Sequence, residues 1–175
     1  MPNFTFRVKI GAPPETVFAQ IADLTRHPEW GHAAGRGQSL ESVVAVSATQ
    51  LEKDSEYRSH ANRFGSPVEA RLRVVEFDPP KEFGFEVDEP AGWFRHFHHR
   101  FTIAPAPSGC TLTRTVEFGP EPPAALRAPM HLFYLLVARP VNLRFLQRFA
   151  LAIESDQQAV TSKNVQSDEV SSSQI

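Results

Sequence analysis

The chain has 175 residues, a formal net charge of −2, 41% hydrophobic residues and one cysteine. That length suits one domain with or without a tail, and the hydrophobic share is too high for a disordered chain. A single cysteine excludes an internal disulfide framework and a multi-cysteine metal cluster, the near-neutral charge gives no reason to expect nucleic acid, and no run approaches the ~18 apolar residues of a membrane span.

In chain order, the first segment alternates. Phe4, Phe6, Val8 and Ile10 fall on one face and Thr5, Arg7 and Lys9 on the other, the period of a half-buried strand, which Gly11 ends. Pro13-Pro14-Glu15 opens a helix, with proline in the first turn and an acid at the positive end of the dipole. Val17, Phe18, Ile21 and Leu24 recur at helical spacing, and Asp23 and Pro28 mark the end. Pro28-Glu29-Trp30-Gly31 reads as a turn presenting a tryptophan. The N-terminus lacks the basic-then-apolar order of a signal peptide, so the expectation is a soluble cytoplasmic protein.

Six strands are predicted next, over residues 38–48, 55–64, 67–77, 82–88, 93–104 and 110–118. The clearest turns are Asp78-Pro79-Pro80-Lys81, Glu89-Pro90-Ala91-Gly92 and Pro105-Ala106-Pro107-Ser108-Gly109. Brief connections predict a meander of antiparallel neighbours. After Gly119-Pro120-Glu121-Pro122-Pro123 the period returns to 3.6. Leu126, Met130, Phe133, Tyr134 and Val137 form one stripe, and Leu143, Leu146, Phe149, Ala150 and Ile153 another. Pro129 and Pro140 each remove a helix hydrogen bond, so a kinked or broken helix is expected. Residues 159–175 are polar and serine-rich and read as a mobile tail, leaving 1–158 as one domain. The fold class is α+β: a seven-stranded antiparallel sheet with one face covered by the long C-terminal helix.

Four segments, in this order and spacing, carry a likeness to a known family: Ile10-Gly11-Ala12-Pro13-Pro14-Glu15-Thr16-Val17-Phe18; Ile21-Ala22-Asp23-Leu24 with His27-Pro28-Glu29-Trp30; Leu72-Arg73-Val74-Val75-Glu76-Phe77-Asp78-Pro79-Pro80-Lys81; and Gly109-Cys110-Thr111-Leu112-Thr113-Arg114. With them the chain resembles the SRPBCC superfamily, the START-like helix-grip proteins, and within it the bacterial polyketide cyclase/dehydrase-like members. The resemblance implies a curved sheet gripping a C-terminal helix, one or two short helices after the first strand, and an apolar cavity for a lipid, polyketide or other hydrophobic ligand. It brings no invariant catalytic set and no cofactor. Cys110 departs from the threonine expected there, and region 120–140 is longer than the simplest relatives need.

Several residues are candidates for chemistry. In Arg95-His96-Phe97-His98-His99-Arg100, alternation puts Phe97, His99, Phe101 and Ile103 on the aromatic, inward face and His96, His98, Arg100 and Thr102 outside. His96 and His98 at i, i+2 lack an evident third metal ligand, so no metal site is assigned. Arg114 shares the inward face of Leu112, Val116 and Phe118; buried, it needs a carboxylate from a neighbouring strand, a ring face or a ligand oxygen. Tyr57 and His60 fall on opposite strand faces, which argues against an acid–base pair. Glu69, Glu76, Glu82, Glu86 and Glu117 read as solvated strand faces, and neither a nucleophile elbow nor a phosphate loop is present.

The expected ligand-binding set is Trp30, Leu72, Phe85, Phe97, His99, Phe101, Arg114, Val116, Met130, Tyr134 and Leu146, with no catalytic residue named. Leu132-Phe133-Tyr134-Leu135-Leu136-Val137 is apolar nearly all round, which leaves open a helix buried on two sides, a homodimer face or a transient membrane contact. Few polar residues turn inward, so binding or carriage of a small hydrophobic ligand leads. A cyclase/dehydratase-like enzyme and an interaction protein without a cavity are the alternatives.

Overall fold

The computed structural model describes residues 3–31, 38–46, 51–63, 65–89, 96–119 and 124–172. Strand β1 (Asn3–Ile10) leads into helix α1 (Pro14–Ala22), which starts on the expected proline. Asp23 ends α1 and caps a 3₁₀ turn, Leu24–Arg26, its carboxylate accepting from the Thr25 amide at 3.1 Å. The segment read as a turn around Trp30 is instead the short helix α2 (His27–Gly31). Proline in the first turn of a helix costs no hydrogen bond, so Pro28 opens this helix as readily as it would a turn.

Strands β2 (Gln38–Ala45), β3 (Glu56–Arg63), β4 (Ser66–Asp78), β5 (Glu82–Asp88), β6 (His96–Ala106) and β7 (Gly109–Gly119) form an antiparallel meander. The sheet order is β1-β7-β6-β5-β4-β3-β2, so β1 returns beside the last strand. Each predicted strand is found with its ends moved by up to three residues; residues 47–48, 64 and 93–95 of the predicted strands lie outside the described residues. Register shifts at Leu40/Ser42 and Val74/Glu76 add the local twist that curves a sheet. Gly109 has φ +129°, a conformation L side chains rarely adopt, and its Cβ position is occupied by the backbone of Ile10 and Ala12.

Helix α3 (Ala124–Phe133) contains Pro129 and passes through a π-helical turn, Tyr134–Ala138, into α4 (Arg139–Ser172). Pro140 has no amide hydrogen, and its ring crowds the carbonyl of residue 136 four positions back. The widened turn relieves that crowding, so the expected break takes the form of a π-bulge. On α4, Phe145, Leu146, Phe149, Ala150 and Ile153 are buried against the sheet and α2. At roughly 1.5–3 kcal/mol for each large side chain, this one helix face supplies much of the apolar stabilisation. The Glu154 carboxylate accepts from the Gly11 amide at 3.2 Å and ties α4 to the β1–α1 turn. Helix α4 continues to Ser172, over residues for which composition predicts a tail. Alanine, glutamine, lysine and glutamate in that stretch are compatible with helix without packing. We propose residue 158 as the end of the packed domain.

Candidate functional site

The site is built from strand register. Arg114 on β7 lies opposite Phe101 on β6 and Phe6 on β1, and His99 on β6 lies opposite Phe85 on β5 and Val116 on β7. Alternation then turns Phe85, His99, Phe101 and Arg114 to the face that α4 covers. Arg114 Nη2 donates to His99 Nδ1 at 3.2 Å. Because a guanidinium only donates, His99 Nδ1 accepts, and the imidazole is the neutral Nε2–H tautomer. The Arg114 guanidinium also stands over the rings of Phe145 and Phe101, 4.6 and 5.3 Å from their centroids.

Of the partners that sequence reasoning allowed Arg114, the neighbouring-strand carboxylate is not the one found. No carboxylate pairs with it among the described residues, because the acids flanking it on β4, β5 and β7 alternate to the opposite face. Glu76 holds His98 and Arg100 there, at 2.9 and 3.2 Å, and Asp88 holds His96 at 2.7 Å. Ring faces and a neutral imidazole take the role instead, and Nε of Arg114 is buried without a hydrogen-bond partner. Burial lowers the Arg114 pKa from the arginine range to about 9. Burial first, and the Arg114 charge second, push His99 well below the ordinary histidine range.

His27, at the start of α2, completes the group, a place that no pattern in the sequence assigns to it. Its ring packs 5.5–6.2 Å from Trp30, Phe85, Phe101 and Phe145. Its Nε2 donates to the Ile21 carbonyl at 2.8 Å, and burial lowers its pKa to about 4 despite that bond, with the Arg114 charge adding to the fall. The only sequence signal for it is the helix-ending His27-Pro28-Glu29-Trp30 run, whose spacing does not say which way the ring turns. Trp30 meets Phe149 edge-on at 4.8 Å and Phe145 at 6.1 Å, and its indole N–H is buried without a partner. Two unpartnered donors, Trp30 Nε1 and Arg114 Nε, thus border the same Phe145 ring.

Among the other expected site residues, Leu72 and Val116 are buried on the same sheet face, and Leu146 is buried on α4. Phe97 is half-buried, edge-on to Phe118 at 5.4 Å and parallel to His99 at 6.4 Å. Tyr134 lies elsewhere: its ring stacks on Phe4 at 3.3 Å, with Phe6, the register partner of Arg114, 6.3 Å away. The Met130 side chain lies outside the described residues. Among the described residues no three metal-ligating side chains converge, and no helix is long and apolar enough to cross a membrane.

The family described as polyketide cyclase/dehydrase and lipid transport matches residues 1–150. No curated protein matches the sequence. Among solved structures, TTHA0849 from Thermus thermophilus superposes with a TM-score of 0.66 at 18% identity, over 89% of this chain and 99% of that one. CV1439 from Chromobacterium violaceum gives 0.63 at 16% identity, over 87% and 96%. Ara h 8.0201 gives 0.64 at 12% identity, over 88% and 98%. At these identities the structural likeness speaks for the fold alone.

Proposed function

As this chain belongs to the polyketide cyclase/dehydrase and lipid transport family, we propose that it binds a small hydrophobic ligand between the sheet and α4, with an oxygen of the ligand held at Arg114. One observation carries this reading: a buried guanidinium that meets no carboxylate among the described residues and keeps an unpartnered Nε. A buried donor left unpaired costs about 1–3 kcal/mol, and a ligand carbonyl or carboxylate at Arg114 relieves that cost. Phe85, Phe101, Val116 and Leu146 offer apolar surface for the rest of the molecule. Such a site needs apolar surroundings and one or two polar anchors, and that is the balance of groups around Arg114.

A cyclase/dehydratase-like reaction is the second reading, favoured by the neutral His99 beside the guanidinium. Arg114 would polarise a ligand carbonyl while an imidazole takes a proton from the adjacent carbon. Binding leads because His99 Nδ1, the lone pair needed for that step, already accepts from Arg114.

The test is native mass spectrometry and solvent extraction of freshly purified protein, followed by titration with palmitate and hexadecane. Retained or titrated amphiphiles are expected, with palmitate preferred. Arg114→Met should lower palmitate affinity by about 10-fold or more, the scale of a hydrogen bond to a charged group, and leave hexadecane unaffected. Palmitate binding that survives both Arg114→Met and Trp30→Phe would overturn the anchor. An empty protein that takes up neither compound would overturn the binding reading and favour an interaction protein. Loss of water from an added polyketide-type thioester, abolished by His99→Phe, would replace binding with catalysis.

A further inference from the structure

Helix α3 turns an apolar stripe outward. Ala125, Ala128, Pro129 and Leu132 recur at i, i+3, i+4 and i+7, and Leu135 and Leu136 continue the stripe through the π-helical turn. All six are exposed, the three leucines to 56%, 43% and 67%. The inner side of the same turn is accounted for by Tyr134, stacked on Phe4. A helix buried on two sides, one of the arrangements the sequence left open, is therefore not what these leucines adopt.

Charge along this part of the chain has one sign. Between Glu121 and Glu154 there is no aspartate or glutamate, while Arg127, Arg139, Arg144 and Arg148 all fall there, with His131. Of 18 basic and 20 acidic residues, removing these four arginines leaves 14 against 20, so a body of charge −6 carries a stretch of +4. Arg139 and Arg144 are exposed at the C-terminal end of the leucine stripe.

We propose that this face docks on an anionic lipid surface, the leucines entering the interfacial layer and Arg139 and Arg144 meeting phosphate headgroups. An exposed apolar stripe edged by arginine and free of acid is the pattern of a helix that lies on a membrane. A second copy fits less well, since the same stretch of a partner copy offers Arg139 and Arg144 no aspartate or glutamate to pair with. The inference does not rest on the ligand reading, because vesicle binding is measured without ligand.

The experiment is co-sedimentation of the full chain with phosphatidylcholine vesicles and with vesicles also containing phosphatidylglycerol. Preference for the phosphatidylglycerol vesicles is expected, falling as salt rises. Arg139→Gln and Arg144→Gln should each weaken it about fivefold, and Leu132→Ser with Leu136→Ser should abolish it, while circular dichroism shows all variants folded. Equal sedimentation with neutral and anionic vesicles, or variants that bind as the parent does, would overturn the proposal. So would absent vesicle binding together with a dimer in analytical ultracentrifugation that the two serine substitutions dissolve.

Discussion

Replacing Arg114 with methionine is expected to stabilise the ligand-free protein. At neutral pH the buried guanidinium is charged, and its pKa of about 9 sets the cost of that charge. At 1.36 kcal/mol for each tenfold, the distance from the ordinary arginine range corresponds to on the order of 5 kcal/mol. The rings of Phe145 and Phe101 return about 1–2 kcal/mol each as cation–π contacts. The orphaned His99 Nδ1 costs about 1 kcal/mol or more besides. The balance leaves a gain of up to about 2 kcal/mol for an apolar side chain of similar length, in the range seen when buried ionic groups are replaced by hydrophobic ones. The pH dependence has a definite sign. A cation whose pKa is lower folded than unfolded makes the unfolded chain bind more protons above pH 9, so the parent's stability rises with pH from there. The methionine variant lacks this rise, and the stability difference between the two proteins narrows above pH 9. Urea denaturation of delipidated protein at pH 7 and at several values between 8 and about 10.5 measures both effects. A variant less stable than the parent at pH 7, with a difference that does not change with pH, would refute the reasoning and show that Arg114 is structurally satisfied.

Other outcomes follow from the same geometry. His27 titrates at about 4 when folded and at 6.5 when not, so stability should fall by about 3 kcal/mol as pH drops through that window. In His27→Phe the component of this fall due to His27 disappears in pH-dependent thermal melts, at a constant cost of about 1–3 kcal/mol for the orphaned Ile21 carbonyl. Gly109→Ala forces a Cβ into the backbone of Ile10 and Ala12 at positive φ and should cost about 3 kcal/mol or more. Calorimetry should then show the melting temperature lower by roughly 6–12 °C. If the packed domain ends at residue 158, limited trypsin digestion cuts at Lys163 before any site in the sheet, and the trimmed protein melts where the full chain does.

The order and type of almost every element are legible in the amino-acid pattern, because alternation and helical period report which side chains share a face. That pattern marks Phe85, His99, Phe101 and Arg114 as inward, and Leu146 and Phe149 as the gripping side of the last helix. Local chemistry is less decisive where one dipeptide serves two structures, as His27-Pro28 does in α2. What those faces meet is settled by folding in three dimensions. The partner of Arg114 is a ring from α4, thirty-one residues along the chain, and the deciding fact is that the carboxylates on β4, β5 and β7 alternate outward. Likewise, the run Leu132–Val137 is apolar on all sides, so no period could say which side is covered; the stacking of Tyr134 on Phe4 decides it and leaves Leu132, Leu135 and Leu136 in solvent. Period gives direction relative to an element's own axis, whereas burial, charge pairing and pKa depend on neighbours brought in from distant parts of the chain.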